Sequence, residues 1–170
     1  MGPKILQFKI IAGSIGETNY NRVRFLEAKD FTDFKDYKFQ TMWQVIEKSE
    51  GYYPDLWKAA REKGIPLQAD MMKIASLADY TNLELLGLML LEANFRKYLQ
   101  MLLMEMVSGS VDDVEIRVLQ KIYEELEGED IFELSDKLPD YTKPIVSEPT
   151  HKRILSFNRY VNERAKKVKL

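Results

Sequence analysis

The stretch from Thr81 to Leu126 constrains this chain most, because its apolar residues recur at steps of three and four over a length that only a long helix satisfies. Thr81 can accept from the backbone N–H of Glu84 while the Glu84 carboxylate reaches back, the reciprocal capping box that opens a helix. From there Leu88, Leu91, Phe95, Tyr98, Leu99, Leu102, Leu103, Met106 and Val107 fall on one face. Ser108-Gly109-Ser110 predicts a turn at the helix end, with Gly109 free to take a positive φ. Ser110 and Asp113 repeat the capping-box spacing, and Val111, Val114, Val118, Ile122 and Leu126 line a second helix. So short a connection implies antiparallel helices, an αα-hairpin.

The apolar stripe Leu88, Leu91, Phe95, Leu99, Leu102 and Met106, with Val114, Val118 and Ile122 opposite, is larger than a lone two-helix arm can bury. These residues are therefore the expected interface of a homodimer or higher oligomer formed through the hairpin.

No segment alternates with a period of two, so the fold class is all-α: a compact helical bundle, the hairpin, and a C-terminal helical appendage. The bundle spans residues 1–80, the hairpin of the same domain 81–127, a linker 128–149 and a basic helical tail 150–170. Helices are predicted through Ile5–Ile11, over Thr18–Phe25, over Asp33–Ser49 with Gly51 as a stop, over Asp55–Lys63 between Pro54 and Gly64, and, after Ile65-Pro66, over Ala69–Ala78. Lys29-Asp30-Phe31 reads as a link. Asp130–Leu138 reads as a short helix before Pro139, Pro144 and Pro149 impose extended chain.

Charge is unevenly spread beneath a net −2: residues 112–149 carry 12 acidic and 4 basic side chains, residues 150–170 carry 1 and 7. The tail cations Lys152, Arg153, Arg159, Arg164, Lys166 and Lys167 either neutralise the acidic arm or make a weak nucleic-acid contact by displacing counterions from phosphates. The favoured reading packs the tail through Ile154, Leu155, Phe157, Tyr160 and Val161 onto the bundle or a neighbouring subunit, with its cations facing water.

Several chemistries lack their residues. There is no cysteine, which excludes disulfides and thiolate metal sites. The single histidine, His151, stands between Thr150 and Lys152 and is expected at the surface. No phosphate-binding Gly-x4-Gly-Lys-Ser/Thr run occurs, and the Gly13-Ser14-Ile15-Gly16 pair is better explained as a helix end. The acidic pairs Asp112/Asp113 and Glu124/Glu125 diverge on a helix and read as solvated faces. No catalytic, cofactor or metal site is therefore expected. The most apolar run, Leu83–Leu91, is far shorter than the ~20 residues that span a bilayer, so no membrane contact is expected either. Gln7 and Lys9 interrupt the amino-terminal apolar residues as a secretion signal would not, and the expected location is cytoplasmic.

The order of short motifs adds a resemblance. Leu6-x4-Ile11-Ala12-Gly13-Ser14-Ile15, then Leu26-x3-Asp30-Phe31, then Asp36-x2-Phe39-x3-Trp43-x2-Ile46, then Ile74-Ala75-x-Leu77-Ala78, then Thr81-Asn82-Leu83-Glu84-Leu85-Leu86-Gly87 resembles the amino-terminal domain of DnaB-type bacterial replicative helicases over about residues 5–127. Leu85-Leu86 stands where that family has an aromatic pair, and Arg96-Lys97 is what remains of its basic run. The family's ATPase domain is absent, so no motor activity is implied. The resemblance implies a non-enzymatic interaction and oligomerisation module of DNA replication that pairs through its hairpin and meets a helicase, primase or helicase loader. A helicase-binding regulator from a mobile element and a small enzyme with an unrecognised carboxylate site are the alternatives.

Overall fold

The computed structural model describes residues 2–15, 17–52, 58, 60–62 and 82–168. Among these the fold is all-α, with one isolated antiparallel bridge between Asp33 and Lys38. The chain divides between Leu91 and Glu92, within the first hairpin helix, into two compact units.

The first unit is built from short helices held by side chains. Helix α1 (Pro3–Gly13) carries Pro3 in its first turn, where the missing N–H costs no helical bond, and buries Ile10, Ile11 and Ala12. Helix α2 covers Glu17–Val23. The link at Lys29-Asp30 is a 3₁₀ turn (Ala28–Asp30), closed by a capping box in which the Asp30 carboxylate accepts from the Glu27 N–H at 2.7 Å. Buried Gln7 of α1 fixes the next segment by accepting from the Thr32 N–H at 2.8 Å.

Helix α3 (Phe39–Ser49) starts at Phe39, not at Asp33 as periodicity suggests. Asp33 instead accepts from the Gln40 N–H at 3.1 Å, and the Phe34 N–H bonds the Tyr37 carbonyl at 2.7 Å in a tight turn. The turn places Phe34 and Tyr37 against Phe39, so apolar residues that mimic a helix face are packed from a loop. Trp43, fully buried, stacks on Phe31 with ring centroids 4.8 Å apart, and its Nε1 finds no acceptor among the described residues. Gly51 does stop α3: at φ 73° it donates back to the Ile46 carbonyl at 3.0 Å.

The expected helix over Asp55–Lys63 is represented by positions 58 and 60–62, which are helical; its ends, the helix over Ala69–Ala78 and the Thr81 cap lie outside the described residues. Helix α4 runs Leu83–Gly109. Glu84 near its start forms a bidentate pair with Arg22, at 2.5 and 2.7 Å. That hydrogen-bonded contact holds the Glu84 carboxyl below its usual range and the Arg22 guanidinium above its own. Gly87 lies where α4 meets the end of α2: a Cβ there would stand 3.0 Å from Phe25 and 3.2 Å from Val23.

The second unit takes the rest of α4 and adds α5 (Asp113–Glu125), a 3₁₀ turn (Leu126–Gly128), α6 (Ile131–Thr142) and α7 (Glu148–Ala165). The α4–α5 hairpin is present, with two details changed. Gly109 is still helical and takes no positive φ, and the cap of α5 is Asp112, which accepts from the Val114 and Glu115 N–H groups.

The expected linker at 128–149 is mostly helix. Helix α6 passes through Pro139, whose ring nitrogen leaves the Ser135 carbonyl without its helical donor. Asn158 of α7 supplies that donor, Nδ2 to the Ser135 carbonyl at 2.8 Å, so a neighbouring helix repairs the break. Only a turn at Lys143–Ser147 separates α6 from α7. The basic tail is no appendage: α7 packs on α6 and buries Ile154, Phe157 and Val161.

Candidate interaction surface

The hairpin stripe expected at an intermolecular interface is largely core. Leu91, Phe95, Leu99, Leu102, Met106 and Ile122 are buried, Leu88 and Val118 half-buried, and only Val114 is exposed. In the second unit the covering comes from helices distant in sequence. Phe95 meets Phe132 of α6 and Tyr160 of α7 edge to face, at 5.9 and 5.7 Å, and Tyr98 stacks on Phe157 at 5.7 Å. The hairpin is not a free two-helix arm, and the buried part of this stripe is core.

Met101 and Met104 of α4, which lie off that stripe, are left to solvent. Leu103, Met104 and Val107 of α4, with Ser108, form one wall of an open groove of about 500 Å³, and Gln120, Tyr123 and Glu124 of α5 form the other. Met104 is 57% exposed and Tyr123 41%, and Met101 one turn back is exposed as well. Methionine is flexible and polarisable, so such a surface adapts to a partner's side chains. Periodicity placed Leu103 and Val107 on the stripe but passed over the exposed part of the groove; Met101 and Met104, apolar yet off that stripe, were the available signal. One carboxylate, that of exposed Glu124, lines this groove.

The tail cations are dispersed. Arg164 is 3% exposed and donates to the Tyr160 hydroxyl at 3.1 Å, which removes it from any nucleic-acid face. Arg153 pairs with Glu105 of α4 at 2.5 Å, and Lys152 lies 3.6 Å from Glu148. Arg159, Lys166 and Lys167 are exposed. His151 is half-buried, with its Nε2 donating to the Pro139 carbonyl at 2.9 Å.

Sequence periodicity also missed Glu115, buried in the second unit. One carboxylate oxygen accepts from the Ser110 hydroxyl at 2.8 Å; the other accepts from the Ser147 hydroxyl at 3.2 Å and its N–H at 3.4 Å. Burial alone would raise this carboxyl, but hydrogen bonds from Thr150, Ser110 and Ser147 outweigh it and hold the group below its usual range. Both oxygens are engaged, so Glu115 ties the hairpin turn to the start of α7. Half-buried Glu92 shifts the other way: burial, then the nearby Asp130 charge, raise it against the pull of Arg96. Among the described residues no group of three or more His, Cys, Asp or Glu assembles that could hold a metal ion, and no helix is long and apolar enough to cross a membrane.

No family model, curated protein or solved structure matches this chain.

Proposed function

We propose that this chain is a non-enzymatic interaction and oligomerisation module of DNA replication, similar in role to the amino-terminal domain of DnaB-type helicases, that engages a replicative helicase, a primase or a helicase loader. The observation that carries the interaction role is the open groove between α4 and α5 with Met104 and Tyr123 exposed on its two walls, which stays open after the unit's own helices have covered the hairpin stripe. Contiguous exposed apolar surface is unfavourable in water unless something covers it. The replication setting rests on the ordered motifs from Leu6 to Gly87.

The test mixes the purified chain separately with the helicase, primase and loader of its own source and follows comigration by size exclusion. One of them is expected to retain it, and Met104→Asp or Tyr123→Asp is expected to weaken retention about tenfold or more, as loss of an interface anchor does. A folded chain that none of the three retains overturns the reading.

A further inference from the structure

The second unit holds an open cavity of about 560 Å³ between the hairpin turn and the connection from α6 to α7. Met106, Ile145 and Val146 give it an apolar wall, and Ser110, Ser147 and Thr150 bring hydroxyls to it. It shares no lining residue with the α4–α5 groove. Four charged side chains line it: Glu105, Asp112, Glu115 and Arg153. Arg153 and Glu105 pair with each other at 2.5 Å, which leaves Asp112 and Glu115 to set the sign of the cavity. Each of these two carboxylates takes up a helix start: Asp112 accepts from the Val114 and Glu115 N–H groups of α5, and Glu115 accepts from the Ser147 N–H ahead of α7. A helix amino terminus is worth about half a positive charge, so two of them leave roughly one negative charge uncompensated. Among the described residues no lysine or arginine pairs with Glu115, although it is 4% exposed and its hydrogen bonds hold it ionised. A buried charge ordinarily has a partner of opposite sign.

We infer that this cavity binds a primary ammonium group carried on a short aliphatic chain, with the nitrogen at Glu115 and Asp112 and the methylenes along Met106, Ile145 and Val146. An ammonium is a compact charge with three donors, which the carboxylates and the surrounding hydroxyls share between them. A guanidinium fits less well, because its planar fork needs both oxygens of one carboxylate and those of Glu115 are committed to different donors. A metal ion lacks its ligands, since among the described residues no group of three or more His, Cys, Asp or Glu assembles to hold one. A free diamine and the lysine side chain of a partner protein both carry the ammonium group, and the two are told apart by the probe that binds. The inference is independent of the groove and of the replication partners.

Heteronuclear NMR titration of the full chain tests it with putrescine and with Nα-acetyl-lysine methylamide, against butyrate as a chain of like length and opposite charge. At least one ammonium probe is expected to shift the amide signals of Ser110, Glu115 and Ser147 saturably, half-maximal at about 1 mM. Butyrate is expected to shift none of them. Saturation by putrescine alone identifies a free diamine as the ligand, saturation by the lysine derivative alone a partner's side chain, and saturation by both fixes the shared group; each supports the inference. Asp112→Asn keeps the cap of α5 but loses a charge, and is expected to weaken binding about threefold to tenfold; Glu115→Gln is expected to weaken it about tenfold or more. Arg153→Gln is expected to tighten binding about threefold, because Glu105 then adds its charge to the cavity. Circular dichroism checks that each variant is folded, and if Glu115→Gln is not, the variants at exposed Asp112 and Arg153 decide. Three outcomes overturn the inference: no saturable shift from either ammonium probe by about 20 mM, butyrate moving the same signals, or any folded variant that binds as the wild type does.

Discussion

The two units differ in what holds their helices in place. In the first, the described helices ahead of α4 run to 11 residues or fewer, and aromatic packing around Trp43 together with polar ties from Gln7, Asp30 and Asp33 orders the connections. In the second, longer amphipathic helices bury stripes in which Phe95, Phe132 and Phe157 join the aliphatic residues, and the polar ties satisfy helix ends and breaks: Glu115 to Ser147, Asn158 to the Ser135 carbonyl, and Arg96 to the carbonyls of Leu126 and Glu129. Short helices are marginal alone and need pinned loops; long ones need mainly a partner face and a way to satisfy the groups left at their ends.

Burying a charge in the second unit should break it outright. Leu99→Asp places a carboxylate where Leu99 is fully buried, and a loss above about 4 kcal/mol is expected, read as unfolding of the second unit in denaturant titration. An intact fold that merely changes oligomeric state would restore the view of this stripe as an interface.

Next in size is the close approach in the first unit. Gly87→Val adds methyl groups where a Cβ alone already crowds Phe25 and Val23, and a loss of about 1–3 kcal/mol is expected from urea midpoints. A midpoint within error of wild type would mean that the aromatic unit yields more readily than its packing indicates.

The long-range polar ties of the second unit are probed by Glu115→Gln, with an expected loss of about 1–2 kcal/mol at neutral pH. Its folded carboxyl titrates below the ordinary 4.5, so the carboxylate's contribution is present above that value and disappears as pH falls through the lower folded value. The gap between wild type and variant should therefore narrow below pH 4.5. A gap that stays constant into acid would show that the hydroxyl and N–H donors gain nothing from the charge.

The smallest effect is expected at Arg22 and Glu84, about a quarter and a third exposed. Glu84→Gln should cost about 1 kcal/mol or less and should fade in added salt. A salt-insensitive loss would class the pair with the buried ties of the second unit.

Much of this was legible in the residues. The stripe from Leu91 to Met106 gave α4, the short turn gave the hairpin, and Ile154, Phe157 and Val161 gave the inner face of α7, because a 3.6-residue period is a local property. The start of α3 was not legible, since Phe34 and Tyr37 pack from a tight turn at a spacing that also fits a helix.

By itself, then, the sequence determined the fold class and the apolar faces of its long helices. What covers those faces was decided only in three dimensions. Pro139 reads as a helix break until Asn158 reaches the Ser135 carbonyl, and the hairpin stripe reads as an open interface until Phe132, Phe157 and Tyr160 close over it. The physical reason is common to both: periodicity reports which side of a helix must leave water, while the identity of the neighbour that excludes the water, or donates the missing hydrogen bond, depends on chain returning from afar.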